Sequence, residues 1–157
     1  WGGVLVAQVI GIFEETLAEV AALMVFVPLI AAMGGNVGVQ SSAIVVQGLA
    51  NKSIGTGSIL QKLVKELLVA MVNGLICGAV ILGYSVLFMD SLALSYTVGI
   101  ALFSVVIIAA LFGTLVPLVL DKVKIDPALA TGPFITTMND IIGLSVYFLY
   151  AKLFFGL

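Results

Sequence analysis

The sequence predicts an all-α membrane protein with five transmembrane helices per subunit. Two observations predict it. Hydrophobic residues fill 62% of the 157 positions and charged residues only 9%, against roughly 25% charged in an ordinary soluble domain. Six Lys and eight Asp or Glu cannot give a core of this size a polar skin. The second observation is that charge-free intervals of spanning length divide the chain, so the bilayer is the solvent. The same composition excludes other classes. With no Arg and a net charge of -2, nothing offers a basic face to nucleic acid. With no His and one Cys, a Ser-His-Asp hydrolase, a His-based metal enzyme, a Cys cluster for zinc and an internal disulfide all fall away.

The first apolar run, Gly2 to Phe13, has 12 residues, whereas a span needs about 20. It follows Trp1, has no basic flank and no small-residue cleavage site, and so does not read as a signal peptide. It is either re-entrant or, as we expect, the first helix clipped at its start. The later intervals are Val20 to Asn51 (32 residues), Leu67 to Met89 (23), Ser91 to Leu120 (30) and Pro127 to Ala151 (25), the last interrupted only by Asp140. Residues 1–157 thus form one membrane domain.

Boundaries have local causes. Ser58-Ile-Leu-Gln61 fits a capping box opening the third helix, whose first turns carry Lys62, Lys65 and Glu66 at the interface. Asn51 to Gly57 is a loop by composition. Asp126-Pro127 fits the start of the last helix, an Asp cap followed by Pro at the first position. Lysine placement sets orientation. Lys52, Lys62, Lys65, Lys122 and Lys124 share one side, and only Lys152 lies opposite. The N-terminus is then cytoplasmic and the C-terminus outside, in a cell membrane. No internal repeat is visible, so an inverted-repeat transporter gains no support.

Asp140 is the most informative residue. An Asp at a span centre costs roughly 2.5–3.5 kcal/mol on insertion scales, and no Lys lies within a span to pair with it. Gly132, Thr136 and Gly143 share its stripe at helical spacing, with Thr137 and Asn139 beside it. The bland reading is a buried carboxyl hydrogen-bonded to another helix. The functional one is a cation or proton site lining water.

Gly34-Gly35-Asn36 interrupts the second interval. Adjacent glycines weaken a helix by about 1 kcal/mol each. The expectation is a broken helix lining a pathway, with Asn36 or backbone carbonyls facing an ion; close packing through Gly34-xxx-Gly38 is the alternative. Gly74-xxx-Gly78 reads as packing. Glu14, Glu15 and Glu19 read as a solvated face, or else as a concentrator of cations at the outer mouth. Asp126 is a cap that also stands where cations would leave. Carboxylate, hydroxyl, amide and carbonyl oxygens suit Mg²⁺, Ca²⁺ or Mn²⁺. One Asp per chain is sparse, and two chains on an axis would match a divalent charge, which favours a homodimer.

Three segments carry a resemblance: Pro28-Leu-Ile-Ala-Ala-Met-Gly-Gly-Asn-Val-Gly-Val-Gln40, Val46-Gln-Gly-Leu-Ala50, and Asp126-Pro-Ala-Leu-Ala-Thr-Gly-Pro-Phe-Ile-Thr-Thr-Met-Asn-Asp-Ile-Ile-Gly-Leu144. The chain resembles the membrane domain of the MgtE family of bacterial magnesium channels, related to eukaryotic solute-carrier magnesium transporters. The resemblance implies a homodimer with a pore on its twofold axis and Mg²⁺ as the transported ion. Asp140 then matches a pore aspartate that holds hydrated Mg²⁺, and Thr136 falls where a backbone carbonyl lines that site. Asn36 falls in a Gly-Gly-Asn element near the pore, and Asp126 at the cytoplasmic end of the last helix. Some members have Asn where this chain has Gly132. The cytoplasmic N-terminal and CBS domains that precede the pore in the family lie outside this sequence. Two rival readings stay open: a proton- or sodium-coupled carrier using Asp140, and a structural membrane subunit with no pathway.

Overall fold

A computed structural model describes residues 1–51, 59–88 and 91–156, without the side chains of Glu19, Ile59, Leu60, Lys62 and Ala130. Among the described residues six α-helices follow one another: α1 (Gly2–Ile12), α2 (Glu14–Glu19), α3 (Val27–Ala50), α4 (Ile59–Phe88), α5 (Leu92–Lys122) and α6 (Pro133–Phe155). Short 3-10 segments, Ala21–Phe26 and Pro127–Ala130, lead into α3 and α6. Among the described residues there is no strand.

Among the described residues, four stretches are long and apolar enough to cross a membrane: Ala21–Ala50, Leu63–Phe88, Leu92–Lys122 and Pro133–Phe155. They fall on the four later intervals. The expected fifth crossing is not seen at full length. The 11 residues of α1 reach about 16 Å at about 1.5 Å per residue, half of a hydrocarbon core, and α1 lies against α6.

Helix α5 is the hub, packed on α3, α4 and α6, while α4 rests chiefly on α5. Ser91 starts α5 by accepting from the Leu94 N–H at 3.3 Å, an ordinary N-cap. Three hydroxyls inside the spans turn onto the preceding helical turn. Thr97 donates to the Ala93 carbonyl at 2.7 Å, Thr114 to Ala110 at 2.9 Å and Ser145 to Ile141 at 2.7 Å. No polar hydrogen of theirs is then left to lipid or core.

Two expectations are corrected. Gly34-Gly35-Asn36 does not break the helix: α3 runs unbroken from Val27 to Ala50, with Gly34, Gly35 and Gly38 buried. Packing overrides the weak propensity of glycine, because these positions are where neighbouring helices come closest. A Cβ on Gly38 would collide with the Asn139 amide of α6, and one on Gly113 of α5 would collide with the Gly38 carbonyl. Nor does the last long helix begin at Pro127. Asp126 caps only the 3-10 turn Pro127–Ala130, and α6 starts at Pro133. Asp140 therefore lies seven positions into α6 rather than at its centre. The glycine pair in the third interval behaves as expected. Cβ atoms on Gly74 and Gly78 would meet Phe103 at 2.9 Å and the Gly99 carbonyl at 3.1 Å on α5. Ser58, the expected loop after Asn51, Lys52 and Asp90 lie outside the described residues.

The core gathers Leu23, Phe26 and Ile30 with Val98, Leu102 and Val105 of α5 and Leu144, Tyr147 and Phe148 of α6. Tyr147 is fully buried and donates its hydroxyl to the Leu23 carbonyl at 2.9 Å, tying the 3-10 lead of α3 to α6. Tyr147→Phe keeps the ring but leaves that carbonyl without its donor. We expect a loss of about 1 kcal/mol, read as a lowered Tm of the purified protein in detergent. An unchanged Tm would show the bond contributes nothing.

Candidate cation site

The site is built where α6 begins. Asp126 accepts from the Ala128 N–H at 2.9 Å, and the Thr131 hydroxyl donates to the Ala128 carbonyl at 2.7 Å. The chain then turns at Gly132, with φ 60° and ψ -128°, a backbone conformation open essentially to glycine alone. The turn aims α6 back along α3. The Gly132 carbonyl accepts twice from Thr136, from its N–H at 3.1 Å and from its hydroxyl at 3.1 Å. Gly132 is thus required by the backbone, and the space where its side chain would stand is open.

One turn beyond Thr136 comes Asp140, so both share a face of α6. Both rest on Gly35 of α3: a Cβ there would lie 3.2 Å from Thr136 Cγ2 and 3.6 Å from Asp140 Oδ1. Asn139 takes the neighbouring face. Its side chain is 2% exposed and packs over Gly34 and Gly38, where its Nδ2 has no hydrogen-bond partner. Helix α6 thus straddles the glycine ridge of α3, and Asp140 remains only part-buried on the open side.

The outer face of α3 adds a second feature. Pro28, Ala32, Asn36, Gln40 and Ile44 recur every four residues and are all exposed, with Gln47 exposed one turn further on. Three amides therefore stand on the outside of a single chain within a membrane-spanning helix. Polar side chains in a span normally face a bundle interior or a water-filled cavity.

Of the expected site residues, Asp140, Thr136 and Gly132 come together. Asn36 follows Gly35 on the same helix but points to the exposed face. Asp126 stands apart, exposed and engaged as a cap. Glu14 and Glu15 are exposed in the first turn of α2, as a solvated face would be, and the side chain of Glu19 lies outside the description. Sequence reasoning missed Gly35 as the surface under Asp140. It named the glycine pair, expecting a break with close packing through Gly34-xxx-Gly38 as the alternative, and the packing is what the structure shows. Among the described residues no three Asp, Glu, His or Cys side chains gather as a metal cluster, so one chain offers one carboxylate here.

A protein-family model described as a divalent cation transporter, MgtE, matches residues 27–150, a range that contains the glycine ridge, the polar stripe and Asp140. Proteins named magnesium transporter MgtE are similar over nearly the whole chain. The Bacillus subtilis (strain 168) protein is 36% identical over 97% of this chain and 34% of its own length. The Enterococcus faecalis protein is 34% identical over 97% and 34%, and the Thermus thermophilus protein 30% over 96% and 33%. The chain spans about a third of the length of these curated relatives. With the match covering most of the chain, it belongs to the MgtE family of divalent cation transporters.

Proposed function

We propose that the chain is the conduction unit of a magnesium channel, in which two copies meet on a twofold axis and pass largely hydrated Mg²⁺ between them. The relatives' names supply the ion. The observation that carries the reading is the pairing of Asp140, a carboxylate inside a span, with the exposed polar stripe of the helix on which it rests. Asn36, Gln40 and Gln47 are exposed on one chain. Against lipid they would be costly; across a water-filled seam from a second copy they are not. Two Asp140 carboxylates balance one divalent charge.

Each further residue has a role in this scheme. Thr136 adds its main-chain carbonyl one turn from Asp140. Asn36 adds an amide from α3, and bare Gly132 leaves room for the ion's water. Asp126 stands at the mouth where the ion leaves. The lysine-bearing connections face the cytoplasm, and the C-terminus lies outside the cell membrane.

Mg²⁺ gives up water reluctantly, so the carboxylate acts through that water. Direct ligation would put Mg–O at about 2.0–2.1 Å, whereas a hydrated ion keeps the carboxylate about 4 Å from the metal. Asp140→Glu keeps the charge and pushes it about one methylene into the water shell. Mg²⁺ flux into proteoliposomes should fall several-fold while the protein purifies normally. Wild-type flux in Asp140→Glu would overturn the hydrated-ion site. Wild-type flux should also persist when proton and sodium gradients are collapsed, and its loss there would establish a coupled carrier instead.

A further inference from the structure

A second polar site lies between α3 and α4, away from Asp140. Ser41 is 3% exposed and donates its hydroxyl to Glu66 Oε1. Gln40 and Asn73 line the same cavity of about 140 Å³, closed on its other sides by apolar residues such as Val37 and Ala70. Ser41 is six positions beyond Gly35 on α3. That is about 9 Å of rise and about 240° of rotation, so it meets a different neighbour, α4. Glu66 is seven residues into α4 and part-buried. The cavity therefore joins one carboxylate, one hydroxyl and two amides, all able to present oxygen.

Such donors suit a hard cation, and charge chooses which. A single carboxylate balances one positive charge, so a monovalent ion leaves the site neutral while a divalent ion leaves it with a net positive charge. The volume accommodates it. At about 30 Å³ per water the cavity has room for four or five, enough for an ion that keeps part of its shell and takes the remaining oxygens from the protein.

We propose that the Ser41–Glu66 cavity binds one monovalent cation of sodium's size, at a site separate from Asp140. Gln40 borders both this cavity and the exposed stripe of α3, so the bound cation would reach the cavity from that stripe. In sequence Lys62 precedes Glu66 by four positions.

The test is binding of radioactive ²²Na⁺ to the purified protein in detergent, with choline chloride as background salt. Wild type should show saturable binding that Mg²⁺ at transport-saturating concentration does not displace. Glu66→Gln should lose it, Ser41→Ala should weaken it and Asp140→Asn should keep it. Glu66→Asp, which retains the charge, should bind more weakly but measurably, separating loss of the site from loss of the fold. The proposal is overturned if wild type shows no saturable binding, or if Glu66→Gln binds as wild type does. It is equally overturned if Asp140→Asn removes the binding, or if sodium binds only after Lys62→Gln.

Discussion

Asp140→Ala should abolish Mg²⁺ flux while leaving the purified protein at least as heat-stable as wild type. Both halves follow from where Asp140 lies. Its carboxylate is the one acidic group inside α6, and in the proposed pore nothing else supplies negative charge at that depth. A divalent ion that has left bulk water then meets only hydroxyl, amide and carbonyl dipoles. Stability moves the other way. A charged Asp in a span is costly, by up to about 2.5–3.5 kcal/mol at a helix centre, and alanine removes that cost. A methyl group meets the bare backbone of Gly35 without crowding. Flux in proteoliposomes and Tm in detergent read the two halves separately. Wild-type flux by Asp140→Ala would refute the site, and a collapsed Tm would show Asp140 to be structural.

Gly113→Ala should produce the largest loss of stability, with assembly failing or Tm falling sharply. Glycine to alanine inside a helix ordinarily gains about 1 kcal/mol of propensity. Here the new Cβ meets the Gly38 carbonyl of α3, and the Ser41 Cβ at 3.0 Å. A backbone carbonyl cannot rotate away as a flexible side chain would, so α3 and α5 must separate. Overpacking typically costs about 1–3 kcal/mol, enough to reverse the propensity gain. Pro117, four residues on, has no N–H to give the Gly113 carbonyl, so the ladder is already interrupted there. Gly83 provides the contrast: it is exposed on α4 with nothing within 4 Å of a Cβ. Gly83→Ala should leave Tm unchanged or slightly raised. A Gly113→Ala protein as stable as wild type would show that the two backbones do not touch.

Hydropathy located the four long helices because lipid imposes one strong rule, apolar length without charge. The interval from Ser91 to Leu120 became Leu92–Lys122, and that from Val20 to Asn51 became Ala21–Ala50 with its 3-10 lead. What hydropathy does not encode is backbone direction and helix contact. The positive φ of Gly132 is invisible in composition, so Asp126-Pro127 read as the start of α6 when it starts only a short turn. Gly34 and Gly35 read as a break because propensity treats a helix as isolated, and their buried contacts with α6 reverse that. The position of Asp140 inside a span was legible, since a lone carboxylate stands out in an apolar interval. The Ser41–Glu66 contact was not, because it joins residues 25 positions apart on helices whose facing sides no periodicity fixed.

The unequal helix lengths bear on the bilayer itself. Helix α5 has 31 residues and α6 has 23, about 46 Å against about 34 Å at 1.5 Å per residue. The molecule therefore has no single hydrophobic thickness. Against a hydrocarbon core about 30 Å thick, α6 nearly matches the bilayer, while around α5 the excess is taken up by tilt or by ends reaching the headgroups. Asp140, seven positions from the start of the shorter helix, lies about 10 Å along it. That depth is nearer one headgroup region than the bilayer midplane, and a thinner bilayer would bring headgroups and water closer still, lowering the cost of keeping the carboxylate charged. Acyl-chain length in the surrounding membrane thus becomes a setting on how readily the carboxylate meets a cation.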